Sequence, residues 1–387
     1  MTKVRARGLG LPLPGEPGAH NAITDVPGVE VGYVTLVEGD AVRTGVTALL
    51  PRGRAGVGTP CTAGWYSLNG NGEMTGTTWI SETGALDLPV LITNTHAVGP
   101  VHRGAIEWVV GHRPDLAGAW LLPVVAETWD GYLNDINGDH VRPRHAVEAI
   151  DAARPGPVAE GAVGGGTGMN CYGFKAGSGT ASRRVAHGPD TYTVGAFVQA
   201  NFGSRAELRV AGVPVGAALA DDDPLGDPGW LAEDLAGAVA PPGSGAPVAP
   251  PGAGSVIAVV ATDAPLLPGQ CTALARRVPL GLARTGTAGS HFSGDIFLAF
   301  STADAPGLAS RFPVGPATAE DYGHLRFLPW GRLDPFYTAV VEAVEEAVLN
   351  ALVAGREMTG RLGRRSPGLP HERLVTLLRR RGALAPD

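Results

Sequence analysis

Apolar residues follow two periods along this chain, and the points where one period gives way to the other divide it into elements. Residues 21–36 alternate apolar with small or polar side chains, and 44–50 resume the alternation after Val37-Glu38-Gly39-Asp40. This predicts two strands joined by a turn. Continuous apolar runs at 89–95 and 121–126 predict buried strands, as does the alternating stretch 192–201, which ends in Gln199-Ala200-Asn201-Phe202-Gly203. Helical spacing appears at Val101, Ala105, Trp108 and Val109. It recurs at Val147, Ile150 and Ala153 within 144–154, and at Cys271, Leu274, Ala275 and Val278 within 270–282. The longest expected helix covers 334–354, with Asp334 as N-cap, Pro335 in its first turn, a stripe through Phe336, Val340, Val344, Val348 and Leu352, and Gly355 at its end.

The breaks between these elements hold the candidate chemistry. Residues 64–82 are rich in Gly, Asn and Thr, and Asn69-Gly70-Asn71-Gly72 invites a primed turn in a loop facing a site. Residues 221–254 read as an exposed linker, because 237–254 carry five Pro and five Gly and no apolar period. That run stops at Gly254-Ser255, where the core strand Val256-Ile257-Ala258-Val259-Val260-Ala261 begins. Attack of Ser255 Oγ on the Gly254 carbonyl, followed by hydrolysis, would free the Ser255 α-amine and put nucleophile and base in one residue. A plain Gly-Ser turn before a strand is the alternative. Ser293 and Asp295 open a further apolar strand, and two residues apart they share a face. They are either edge polar residues or partners of that serine, and the second reading expects the two strands to be neighbours with these side chains touching Ser255. Residues 127–138 bring three carboxylates, Glu127, Asp130 and Asp135, to the end of a core strand. A pocket wall and a surface turn both fit there, whereas the spacing fails a calcium loop. The glycines of 161–169 lack the spacing of a phosphate cradle and read as close backbone packing.

Composition narrows the class. Of 387 residues, 44% are hydrophobic and 17% charged, with 57 Gly and 33 Pro, which suits a loop-rich α/β body, and the length allows one large domain or two. A net charge of −7 argues against a general nucleic-acid partner or an anionic membrane surface. Cys61, Cys171 and Cys271 are too few and too widely spaced for a disulfide framework or zinc site. No apolar h-region follows the N-terminal charges, and no run of about 18 apolar residues exists, so a cytoplasmic address is expected. The stretch 361–387, with seven Arg against one Glu and one Asp, reads as a solvated basic tail.

Together, Asn21-Ala22-Ile23-Thr24-Asp25-Val26-Pro27-Gly28-Val29, Glu127-Thr128-Trp129-Asp130-Gly131, Leu133-Asn134-Asp135, Gly164-Gly165-Gly166-Thr167-Gly168-Met169, Gln199-Ala200-Asn201-Phe202-Gly203, Gly254-Ser255 and Ser293-Gly294-Asp295-Ile296 resemble the P1 or S58 peptidases, the family of the L-aminopeptidase/D-esterases and bacterial β-aminopeptidases. The resemblance implies a four-layer αββα sandwich, N-terminal-nucleophile-like with its own connectivity. It implies cleavage between Gly254 and Ser255 into chains 1–254 and 255–387, and homo-oligomers of such heterodimers. Ser255 would be the nucleophile, Ser293 and Asp295 its supports and Asn201 the oxyanion donor. Glu127 would recognise the amine of a small peptide, amide or ester, beside Trp129. Some relatives carry Glu at the position of Asp295 and Tyr at that of Trp129. The implied reaction is amide hydrolysis through an acyl-enzyme with no metal or organic cofactor. β-Aminopeptidase activity, D-residue esterase or amidase activity, acyl transfer to an amine, and a metabolite-binding chain that is never cleaved are the alternatives.

Overall fold

The structure, a computed structural model, describes the chain except residues 1–3, 228, 236–251, 310–311, 313–314, 320 and 386–387. Two sheets carry it. The first contains β1 (Glu30–Glu38), β2 (Val42–Leu50), β5 (Val90–Asn94) and β6 (Val124–Thr128), in the order β1-β2-β5-β6. The second contains β3 (Cys61–Ser67), β4 (Ala85–Leu86), β7 (Gly177–His187), β8 (Asp190–Asn201), β9 (Gly254–Thr262) and β10 (Ser293–Ser301), in the order β4-β3-β10-β9-β8-β7.

Strand alternation builds the layers. Leu49, Val90, Ile92, Val124 and Ala126 of the first sheet pack on Phe197, Ile257, Val259, Ala261, Leu298 and Phe300 of the second. The opposite residues of the first sheet, Ala48, Leu91 and Val125, meet Val101, Ala105 and Trp108 of α2 (Val98–His112) and Ala149 and Ile150 of α3 (Pro143–Asp151). The other face of the second sheet, through Val256, Ala258, Val260, Phe297 and Ala299, is covered by Val340, Val344 and Val348 of α7 (Asp334–Ala354), with α5 (Pro268–Ala275) and α6 (Val278–Arg284) beside it. Helix, sheet, sheet, helix is the expected four-layer αββα sandwich, and period-2 strands buried on both faces explain why the core runs are continuously apolar.

Several sequence expectations need correction. Residues 21–29 are not strand: Ile23–Asp25 form a 3₁₀ turn and the strand begins at Glu30. The helix expected over 270–282 is two, because Pro279 has no N–H to continue the first and instead starts α6. Asp334 lies inside its helix, whose N-cap is Leu333. Asn69, Gly70, Asn71 and Gly72 all have negative φ, which excludes a primed turn. The stretch 64–82 is also not loop throughout: β3 runs to Ser67, and α1 (Thr77–Thr83) closes it. The 221–254 stretch includes a helix, α4 (Gly229–Leu235), while 236–251 lie outside the described residues. The basic tail is not simply solvated, because α8 (His371–Arg380) buries Leu374 and Leu378 in the core and Arg364 is only 8% exposed.

The glycine-rich 164–166 turn is buried, and a Cβ on Gly165 or Gly166 would meet Ile92 O or Ser178 N at 2.5 Å. Close backbone packing is therefore its role. Among the described residues no helix is long and apolar enough to cross a membrane.

Candidate active site

β9 and β10 are parallel neighbours, with Gly254 paired to Ser293 and Ser255 to Gly294. On its other side β9 runs antiparallel to β8, and there Ser255 faces Asn201. Ser255 shares the parity of Ile257 and Val259, so its side chain leaves on the inter-sheet face, where β6 ends. The backbone N–H of Trp129, the first residue after β6, donates to Ser255 Oγ at 3.1 Å, and Asn201 Nδ2 approaches the same oxygen at 3.5 Å. Asn201 Nδ2 also donates to Trp129 O at 2.8 Å. Its Oδ1 accepts the Asn170 N–H at 2.9 Å, and since a backbone N–H can only donate, the amide nitrogen must face the serine. The hydroxyl thus sits between two fixed donors, and it is through its backbone N–H that Trp129 bonds to it.

Gly254 is required by shape. A Cβ there would stand 2.0 Å from Asn201 O, closer than any van der Waals contact allows, so only glycine lets the chain pass β8 into Ser255.

Ser293 Oγ donates to Asp295 Oδ1 at 2.5 Å, and Asn69 Nδ2 donates to Asp295 Oδ2 at 3.2 Å while its Oδ1 accepts the Asp295 N–H at 2.7 Å. Burial pushes the Asp295 carboxyl above the usual carboxylate range, against hydrogen bonds from Ser293, Asn69 and the Val256 backbone that favour its charged form. The strands are neighbours as expected, but the contact with Ser255 is not made: among the described residues neither Ser293 nor Asp295 hydrogen-bonds to it. Both share the parity of Phe297 and Ala299, so they leave on the helix-covered face, beside the backbone of Ser255 and away from its hydroxyl.

Glu127 closes the other side. It is 2% exposed, accepts the Glu73 N–H at 3.0 Å, and takes a short hydrogen bond from the Thr95 hydroxyl. Burial raises its carboxyl too, partly offset by those two donors. The other two carboxylates of the cluster do different work. Asp130 is buried and bonded to Asn134 Nδ2 at 3.0 Å, and Asp135 lies 3.7 Å from His140, neither against Ser255.

A cavity of about 740 Å³ is lined by Ser255, Asn201, Glu127, Trp129, Gly254 and Thr95 among others, with Ser293 and Asp295 outside its lining. That volume holds a ligand of small-peptide size, within the ~300–1,000 Å³ of ordinary ligand sites. Among the described residues no group of three His, Cys, Asp or Glu side chains could hold a metal ion. Thr95, Asn170 and Asn69 escape sequence reasoning because they act through tertiary contacts; the Asn/Gly loop around Asn69, read as facing a site, is the one trace of them.

A model of peptidase family S58 matches residues 21–366. A beta-peptidyl aminopeptidase BapA of Sphingosinicella microcystinivorans is 48% identical over 98% of this chain and 93% of its own length, and the BapA of Sphingosinicella xenopeptidilytica is 42% identical over 97% and 91%. Among solved structures, the L-aminopeptidase D-Ala-esterase/amidase of Ochrobactrum anthropi superposes with a TM-score of 0.86 at 43% identity. It covers 99% of this chain and 100% of its own, and is described as a prototype serine aminopeptidase and a new variant of the Ntn hydrolase fold. A β-aminopeptidase of Burkholderia sp. gives a TM-score of 0.84 at 45% identity over 99% of this chain and 100% of its own.

Proposed function

This chain belongs to peptidase family S58 and is a serine aminopeptidase of the Ntn hydrolase type, and from that premise we propose that it matures by cleaving itself between Gly254 and Ser255. The matured enzyme then releases N-terminal residues, β-amino acids among them, from small peptides and amides. The observation that carries the proposal is Ser255 itself, at a strand start behind an obligatory glycine, with its hydroxyl held by Trp129 N–H and Asn201 in the cavity that contains Glu127. The β-amino-acid part rests on the relatives at 48% and 42% identity, which are β-peptidyl aminopeptidases.

In the reaction Ser255 Oγ attacks the scissile carbonyl and its proton passes to the freed α-amine, whose ordinary pKa of ~7.7–8.0 suits a base near neutral pH. Asn201 Nδ2 and the Trp129 N–H carry the oxyanion, an interaction whose loss typically costs ~100- to 1000-fold. The Ser255 ammonium returns its proton to the leaving amine, and water then takes the acyl group from Oγ by the same route. Ser293 is the register partner of Gly254, so when Gly254 leaves, the new amine lies beside the Ser293–Asp295 pair, which positions it. Glu127 pairs with the substrate ammonium and restricts the enzyme to free N-termini.

Three buried free thiols, Cys61, Cys171 and Cys271, fit a reducing, cytoplasmic compartment. Exposed Trp120 and Phe312, whose rings lie 4.4 Å apart with that of Trp79 6.2 Å from Trp120, form apolar surface of the kind that assembles homo-oligomers.

A denaturing gel tests maturation. Wild type should run as 1–254 and 255–387 and Ser255→Ala as one band; N-terminal sequencing that begins the small fragment elsewhere than Ser255 refutes it. A panel of α-, β- and D-aminoacyl p-nitroanilides, free and N-acetylated, then sets the substrate class. Dominant turnover of D-alanyl esters or amides would favour the activity named for the Ochrobactrum anthropi relative.

A further inference from the structure

The cavity has an apolar side that amine recognition and acyl chemistry leave unused. Trp129, Tyr132, Leu225, Trp230, Leu231 and Phe292 line it. The Trp230 ring lies 6.0 Å from that of Trp129 and meets Tyr132 edge-on at 5.3 Å. Trp230 comes from α4, seven residues that are too short to be stable alone. The helix is held from the far end of the chain. Asp234 accepts from Arg361 Nη1 at 2.7 Å and from Arg364 Nη1 and Nη2 at 2.9 and 2.8 Å. Arg364 also donates to Trp230 O at 3.1 Å, and its guanidinium lies 5.7 Å from the ring centres of both Tyr132 and Trp230. A guanidinium that is only 8% exposed and shared between a carboxylate and two aromatic faces is a fixed support, unlike a surface ion pair.

We propose that Trp230, fixed by the Asp234 clamp to Arg361 and Arg364, is a specificity-determining wall that receives a large apolar side chain on the residue being released. The proposal rests on the aminopeptidase reading of the site. A substrate whose ammonium meets Glu127 and whose carbonyl meets Ser255 has its first residue stretched between them. Trp129 stands in that interval, two residues after Glu127 and touching Ser255 through its N–H, and its ring continues into Trp230. The side chain of the first residue therefore faces aromatic surface, where each added methylene is worth roughly 0.8 kcal/mol, or about fourfold in affinity. Asp234, Arg361 and Arg364 are positioning residues that touch no substrate.

The test measures kcat/KM on matured enzyme with two series. One varies the first side chain (alanyl, leucyl, phenylalanyl, in α or β form) with a constant p-nitroanilide; the other keeps the first residue and varies the leaving amine. Wild type should prefer phenylalanyl or leucyl to alanyl. Trp230→Ala should cut that preference at least tenfold, Trp230→Phe should keep most of it, and neither should reorder the leaving-amine series. Asp234→Asn, outside the cavity, should raise KM for the large side chains with little change in kcat, which keeps the test open if Trp230→Ala does not fold. The proposal is overturned if the preference survives both Trp230→Ala and Asp234→Asn, if all substrates fall in equal measure, or if only the leaving-amine series moves. If wild type hydrolyses no aminoacyl anilide at all, the aminopeptidase reading fails first, and the two failures remain distinct.

Discussion

Glu127 shows how one residue can serve activity against stability. Its carboxyl is buried and raised, so relative to the unfolded chain it contributes most at low pH, and that contribution is lost as pH rises through the folded value. At neutral pH its charge is therefore a cost to the fold, which a substrate ammonium would offset. Glu127→Gln should abolish at least 99% of turnover on free-amine substrates while leaving self-cleavage intact, since maturation presents no free amine. Its Tm at pH 7 should equal or exceed wild type, because the amide can accept from the Glu73 N–H and donate to the Thr95 hydroxyl, which reverses its role. A melting curve and an anilide assay decide; a large fall in Tm with activity retained would make Glu127 structural. At this scale the polar residues at strand ends were legible in the sequence, and Glu127, Asn201 and Ser255 do meet at one cavity. Contacts made through the backbone were not legible, because no pattern of side chains marks the Trp129 and Asn170 N–H groups that fix Ser255 Oγ and the Asn201 amide. Nor could spacing reveal that Ser293 and Asp295 leave β10 on the face opposite the nucleophile, since that depends on the register of one strand against another.

Elements were read well where burial decides them and poorly where a neighbour does. β9, β10 and α7 are apolar enough to be recognised alone, and they run where the periodicity puts them. α4 and α8 lie in segments read as linker and tail, because α4 owes its order to Arg361 and Arg364 and because the apolar spacing of Leu374 and Leu378 is diluted by arginines. The start of β9 carries its own prediction. β8 and β9 approach so closely at Gly254 that a methyl group would meet Asn201 O at 2.0 Å. Gly254→Ala must therefore push the scissile bond or the Asn201 backbone out of line, and misplacement on that scale costs on the order of 100-fold in an attack that needs near-contact alignment. The expected outcome is a folded chain with normal circular dichroism whose 255–387 fragment appears at least tenfold more slowly on a time-resolved gel. Wild-type processing of Gly254→Ala would mean the glycine serves only the turn.

At the scale of the whole molecule, alternation gave each strand its buried face, but only the family resemblance supplied the four layers, because periodicity says nothing about strand order. In the second sheet β9 and β10, which begin at or after the proposed cut, lie between β3 and β8, which precede it, so a fragment 255–387 would be inserted into the middle of a sheet made by 1–254. α7 then covers β7 and β8 from outside, and Glu346 on it is bonded to Arg183 of β7 at 2.7 Å with both side chains at most 1% exposed. Cutting one peptide bond removes none of this: separating the pieces means tearing two strand ladders and opening two cores, which amounts to unfolding. The fragments should co-elute as one species in about 1 M salt, where screening shortens to ~3 Å and surface ion pairs cease to matter. They should part only across the same cooperative urea transition that abolishes near-UV circular dichroism. Fragments that separated in salt alone, or at a urea concentration well below that transition, would mean that the pieces are held by surface contacts and that the interleaved sheet does not survive maturation.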